Sequence, residues 1–219
     1  MPAGDSGELI ESMRDSPDVR HWLRLLREAL AHERDWRAVI DSLRPHTPGL
    51  WRELDTEQRG RFLRHARWAW ERVRHRMPPQ VARSVAALED EGRLHRLRGR
   101  MKSVALAGDT LQLQLACAPA GIPHALEADL IIQTTGMNND IRRTGHPLVS
   151  QLLTNGHIAT DPLGLGMRAA PDGRLAHGKD YWSNLFAIGS MLRGTLWEST
   201  AMPEIRQQAR HLADQLLVR

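Results

Sequence analysis

The residues best suited to hold a ligand lie in the C-terminal third. Leu185-Phe186-Ala187-Ile188 reads as a buried strand, Gly189-Ser190 as the turn at its carboxyl end, and Thr200-Ala201-Met202-Pro203-Glu204 as the start of a helix. Strand ends and helix starts of this kind present free backbone N–H groups to an anionic or carbonyl-rich ligand. Pro203 suits a first helical turn, Thr200 can cap it, and Glu204 favours its positive end. Upstream, Leu130-Ile131-Ile132 repeats the pattern, a buried apolar strand closing on Thr134-Thr135-Gly136. Two such strands in one sheet, with both glycines on the same edge, would frame a crevice for a nucleotide-type cofactor. No Gly-x-Gly-x-x-Gly occurs in the sequence, so only half of such a site is legible.

Other chemistries have less behind them. His65 and His75 sit among arginines, and neither a His-Glu-x-x-His pair nor a carboxylate–histidine cluster is present, so no metal is expected. A Gly-x-Ser-x-Gly elbow is also absent. Cys117, the only cysteine, falls in an expected strand and reads as a small buried hydrophobe. From Arg59 to Arg76 arginines alternate with Phe62, Trp68 and Trp70, a pattern that could serve a phosphate backbone with base stacking. A solvated helix face opposite an apolar stripe accounts for the same residues more simply.

Composition bounds these readings. The 219 residues can bury a real core, and 41% hydrophobic with 26% charged residues is ordinary for a globular chain. The net charge of +4 is carried almost entirely by arginine, the only lysines being Lys102 and Lys179. A charge this small over this length does not by itself indicate a nucleic-acid partner. No apolar run approaches the roughly 18 residues that cross a bilayer, so no membrane partner is expected. The first residues lack the basic-then-apolar pattern of a secretory signal, and the expected location is cytoplasmic.

The elements that must position these residues change near residue 100. Helix-spaced apolar stripes run through Val19, Trp22, Leu23, Leu26 and Leu30, through Trp36, Val39, Ile40 and Leu43, through Phe62, Leu63, Ala66, Ala69, Trp70 and Val73, and through Val81, Val85 and Leu88. Arg44-Pro45, Met77-Pro78-Pro79 and Gly92 mark three of their ends. Beyond Arg100 the period shortens to two. Met101–Ala107 and Thr110–Ala116 flank Gly108-Asp109 as a hairpin, and Pro119–Glu127 reads as a loop. Pro147–Leu153 is a short helix stopped by Asn155-Gly156. Leu165–Ala169 and Arg174–Ala176 form a second hairpin about Pro171-Asp172-Gly173, and Pro203–Leu217 is the closing helix. The expected division is a helical region over 1–99 and an α/β region over 100–219.

The run Asp161-Pro162-Leu163-Gly164-Leu165-Gly166, the strand to Gly189, and Arg193-Gly194-Thr195-Leu196-Trp197-Glu198-Ser199-Thr200-Ala201-Met202-Pro203-Glu204-Ile205-Arg206 together resemble the end of bacterial FAD/NAD(P)-binding flavoproteins. That group is related to flavin-dependent N-hydroxylating monooxygenases. Asp35–Pro45 and Arg61–Arg76 resemble its middle region, and the likeness spans roughly residues 30 to 217. It implies the C-terminal half of a Rossmann-like FAD/NAD(P)-binding domain with β-hairpins, preceded by a helical layer. It further implies that Thr135-Gly136 and Gly189-Ser190 lie beside FAD and that Thr200-Ala201-Met202 lies near the flavin ring. Many flavoproteins carry Gly-Asp where this chain has Gly189-Ser190, which puts a ribityl contact in doubt. The family's N-terminal βαβ unit has no counterpart in the sequence.

The expected function is therefore part of an FAD-dependent oxidoreductase using NAD(P)H on a small-molecule substrate, either a truncated product or one half of a split enzyme. Its partner would be an N-terminal FAD-binding half or a second copy of itself. Two readings stand beside it: a non-enzymatic, arginine-rich module for nucleic acid or an acidic protein, and an inactive remnant.

Overall fold

The computed structural model describes residues 6–32 and 35–217. It is a mixed α/β structure with two small antiparallel sheets, and the chain divides into two units. One unit combines the chain up to His75 with the chain from Asn138 onward; the other is Arg76–Met137. The expected boundary at 99/100 falls inside the second unit.

In the first unit, helices α1 (Ser6–Asp15), α2 (Val19–His32), α3 (Trp36–Leu43), α4 (Thr47–Glu53), α5 (Thr56–His65) and α6 (Arg67–Arg74) make the helical layer. The starts of α3 and α5 are fixed locally. Asp35 accepts from the Arg37 amide at 3.0 Å and Asp55 from the Gln58 amide at 2.8 Å, which satisfies donors that have no partner inside a helix. The single stripe expected over 62–73 is two helices, with Ala66 between them at φ −115°. The break lets Phe62 and Trp70 both pack toward one core. That core gathers Ile10, Met13, Trp22, Leu43, Leu50, Trp51 and Leu54 with Leu165 and Trp197 from far along the chain.

The C-terminal part of this unit packs a second cluster, Ile141, Ile158, Met167, Ala169, Leu175 and Leu192. Helix α8 (Pro147–Thr154) stops at Asn155-Gly156 as expected. The second hairpin is shifted from its expected place. Strand β4 (Arg174–His177) pairs with β5 (Asp180–Phe186) across Gly178-Lys179, whereas Leu165–Ala169 forms only isolated bridges, Thr160 to Met167 and Ala169 to Leu175. The turn at Pro171-Asp172-Gly173 does form: the Ala170 amide donates to the Arg174 carbonyl at 2.9 Å, and the Gly173 amide donates to the Ala170 carbonyl at 3.0 Å. β5 is half-exposed rather than buried, and Ile188 lies outside it and exposed. Helix α9 (Met202–Leu217) closes the chain.

The second unit holds helix α7 (Pro79–Asp90), followed by Gly92 at φ +68°, and a meander of β1 (Gly99–Ala107), β2 (Thr110–Cys117) and β3 (Ile122–Ala128). Gly108 supplies the positive φ at the first position of the two-residue β1–β2 turn. β3 replaces the loop expected over 119–127, and Pro123 is accommodated because β3 is an edge strand. Register places Val104, Leu113 and Leu126 in one row and Leu106, Leu111 and Ala128 in the next, so one sheet face is apolar. No residue of this unit is buried, and Cys117 is only half so. The expected buried strand Leu130–Ile132 is not a strand: it has no ladder partner, and Leu130 and Ile132 are 71% and 73% exposed.

Candidate functional site

The expected crevice between two parallel strand ends is not formed. Leu130–Ile132 is irregular, and β5 pairs only with β4 among the described residues. The expected ligand residues fall in two groups, one in each unit. Thr135 and Gly136 belong to the second unit. Both are exposed, Thr135 Oγ1 accepts from Gln133 Nε2 at 3.0 Å, and Gly136 has φ +88° with open space where a Cβ would lie.

The other five lie in the first unit. Gly189 is buried at φ +73° and opens a short 3-10 turn to Leu192. Its amide donates to Gln208 Oε1 of α9 at 2.7 Å, and a Cβ on it would meet Ile205. That amide is therefore engaged with the protein's own helix, and the position is a packing contact rather than the wall of a crevice. Ser190 is half-buried, and its carbonyl accepts from the Arg193 amide. Thr200, Ala201 and Met202 are exposed at the start of α9, where the Ala201 carbonyl accepts from the Ile205 amide at 3.0 Å.

The segment between these groups is built into the helical layer. Trp51 Nε1 donates to the Gly194 carbonyl at 2.8 Å. The Trp197 ring lies 4.9 Å from Trp51 and 5.3 Å from Phe62, edge-on to the latter, and the Arg193 guanidinium covers its face at 4.6 Å. Trp70 Nε1 donates to Glu198 Oε1 at 2.9 Å, and Arg74 lies 3.6 Å from the other oxygen. Arg193 also reaches Glu71 at 3.0 Å, and Arg44 meets Glu204 at 2.8 Å. Burial raises the Glu71 carboxyl, but hydrogen bonds and charge from Arg67 and Arg193 outweigh it and hold that group below its ordinary range. Glu204 is shifted the same way, burial being outweighed mainly by Arg44. Burial lowers Arg193 from the usual guanidinium range, with the neighbouring Arg67 adding to it and Glu71 opposing it.

The loop Asp161–Gly166 closes this node. Asp161 Oδ1 accepts from the Leu163 and Leu165 amides at 2.9 and 3.2 Å, and the Leu165 carbonyl accepts from Gly194 at 2.7 Å. A Cβ at Gly166 would overlap the Met191 carbonyl, and one at Gly194 would overlap the Asp161 carboxyl. The glycines here let backbone approach backbone, with no phosphate implied. Ser199, absent from the sequence-level candidates, is fully buried with no hydrogen-bond partner for its hydroxyl among the described residues. The i,i+4 spacing of Arg67 and Glu71 could have signalled one pair of this network, whereas Arg193 and Glu198 stood in the sequence only as part of the run that carries the family resemblance.

The arginine run is largely taken up internally. Arg59 donates to the Trp51 and Arg52 carbonyls, Arg61 pairs with Asp18 and Glu57, Arg67 with Glu71, and Arg74 with Glu198. This is a structural use of those cations, and it leaves little of the continuous basic row that a phosphate backbone needs. Among the described residues no cluster of three His, Cys, Asp or Glu could hold a metal ion, and no helix is long and apolar enough to cross a membrane. Set against family models, curated proteins and solved structures, the chain matches none of them.

Proposed function

We propose that this chain is the C-terminal part of an FAD- and NAD(P)-dependent flavoprotein oxidoreductase whose dinucleotide-binding βαβ unit is supplied by a partner. The observation that carries the reading is the uncovered β-forming surface of the second unit. A three-stranded sheet needs a packed face to be stable, yet the row Val104, Leu113 and Leu126 is unburied. Directly after it, Leu130-Ile131-Ile132 carries a strand's composition without a strand's partners. A parallel sheet from a second polypeptide would satisfy both needs at once, because its edge would accept residues 130–132 and its flank would cover the apolar face. Thr135-Gly136 would then sit at a strand's carboxyl end, the position at which open α/β sheets meet their ligands.

Of the expected contacts in the second unit, Thr135 and Gly136 are both exposed. Gly189 fits less well, its amide being held by Gln208. A bound flavin supplies the redox chemistry. The chain's own residues would orient it through the open backbone at Gly136, which allows close approach.

The test is flavin titration of the chain alone and of the chain co-expressed with the reading frame directly upstream of its gene. Weak or absent FAD binding alone, and a yellow complex reducible by NADH or NADPH on co-expression, is the expected result. Stoichiometric flavin on the isolated chain, or a saturated apolar face in a homo-oligomer that ignores FAD, overturns the partner reading.

A further inference from the structure

The helical layer holds a half-open pocket of about 220 Å³, lined among others by Trp22, Leu26, Leu43, Trp51, Phe62 and Trp197. Protein interiors hold few voids larger than a water molecule. A cavity of ~150 Å³ lined by leucine, isoleucine and phenylalanine stays dry and takes up benzene. This one is larger, enough for a bicyclic aromatic body.

The cavity's polar groups are turned away from it. Trp22 Nε1 donates to the Met13 carbonyl, Trp51 Nε1 to Gly194, Trp70 Nε1 to Glu198, and Thr47 Oγ1 to the Leu43 carbonyl. With these groups engaged, the pocket presents an apolar lining and favours an apolar occupant. One lining residue differs. Arg27, on α2 between Leu23 and Leu30, is exposed and has no hydrogen-bond or ion-pair partner among the described residues. Arg24, one turn earlier, is engaged with the His21 ring at 2.7 Å. Arg27 on the lining of a half-open aromatic pocket makes a two-point receptor: the pocket takes a flat apolar body, and the guanidinium fork takes a carboxylate.

We infer that this cavity is a binding site for a small monoanion with a flat apolar body, of the class of an aromatic carboxylate. The site lies wholly within the first unit and is independent of the flavin reading. The test uses 2-naphthoate and its neutral analogue 2-naphthalenemethanol, titrated into the full chain by calorimetry and by tryptophan fluorescence, since four of the seven tryptophans line the cavity. The expected result is saturable one-to-one binding of naphthoate with fluorescence quenching. Arg27→Gln should weaken naphthoate about tenfold and leave the alcohol unchanged. Ala66→Phe, which places bulk in the cavity, should weaken both. Arg27 is exposed, so the first variant keeps its fold, which circular dichroism verifies. Absence of saturable binding up to millimolar probe, or naphthoate affinity unchanged in Arg27→Gln, overturns the inference.

Discussion

Trp51 donates its indole N–H to the carbonyl of Gly194, 143 positions away, in the buried heart of the first unit. This bond ties the helical layer to the segment between Gly189-Ser190 and Thr200-Ala201-Met202, the residues that sequence reading assigned to cofactor contact. Trp51→Phe keeps most of the ring and removes the donor, leaving a buried carbonyl without its partner. The expected cost is about 1–3 kcal/mol in urea unfolding, with an unchanged slope. A loss below about 0.5 kcal/mol would mean water replaces the indole.

Gly166 and Gly156 both have positive φ but differ in surroundings. A Cβ at Gly166 would overlap the Met191 carbonyl, whereas one at Gly156 meets nothing within 4 Å. Gly156→Ala should therefore cost only backbone strain, about 1–2 kcal/mol. Gly166→Ala should cost about 3 kcal/mol or more, because strain and overpacking combine. Equal melting temperatures for the two variants would contradict this account of the loop.

Acid should weaken the first unit in a defined window. The Glu71 and Glu204 carboxyls are held below their ordinary value of 4.5 by arginine partners. A depressed folded-state value stabilises fully above the unfolded value and is lost as pH falls through the folded one. Melting temperature should thus hold from pH 7 to about 5 and decline below about 4.5. Glu204→Gln should flatten that decline by an amount equivalent to roughly 0.5–1 kcal/mol, the scale of a partly exposed pair.

Residues 91–98 lie outside regular structure, every one of them is exposed, and they include Arg93, Arg96 and Arg98. With no buried residue anywhere in Arg76–Met137, local opening there should be cheap. Trypsin should cut first after one of these arginines, and mass spectrometry of the early fragments identifies which. First cleavage in the α2–α4 region would show that the helical core is the weaker part.

What could be read from sequence was what is local. Stripes at helical spacing located α2, α3 and α7, and Gly108-Asp109 located the β1–β2 hairpin, because periodicity and turn chemistry act over a few residues. Helices α1 and α4 went unread: their apolar residues, Ile10 and Met13 in one and Leu50 and Trp51 in the other, are few and find their meaning only against Trp22 and Trp197. β3 was hidden by Pro119 and Pro123, which disguise an edge strand as a loop. Leu130–Ile132 failed in the opposite sense, since strand composition cannot create a strand without a neighbour to pair with. Of the candidate site, residue types were legible but their engagement was not. Gln208, 19 positions after Gly189, takes the amide that the glycine turn had seemed to offer a ligand.

The aromatic node also imposes an order on synthesis. Trp51 and Phe62 leave the ribosome long before Trp197 and Gly194, with roughly 140 residues still to be translated, on the order of 7–30 s at ordinary elongation rates. Throughout that interval the nascent helices lack the indole that seals their core. Until it arrives, the core against which Trp51 and Phe62 pack is incomplete. Release of Trp197 from the ribosome, rather than emergence of the helices themselves, is the event that lets this layer close on its native core.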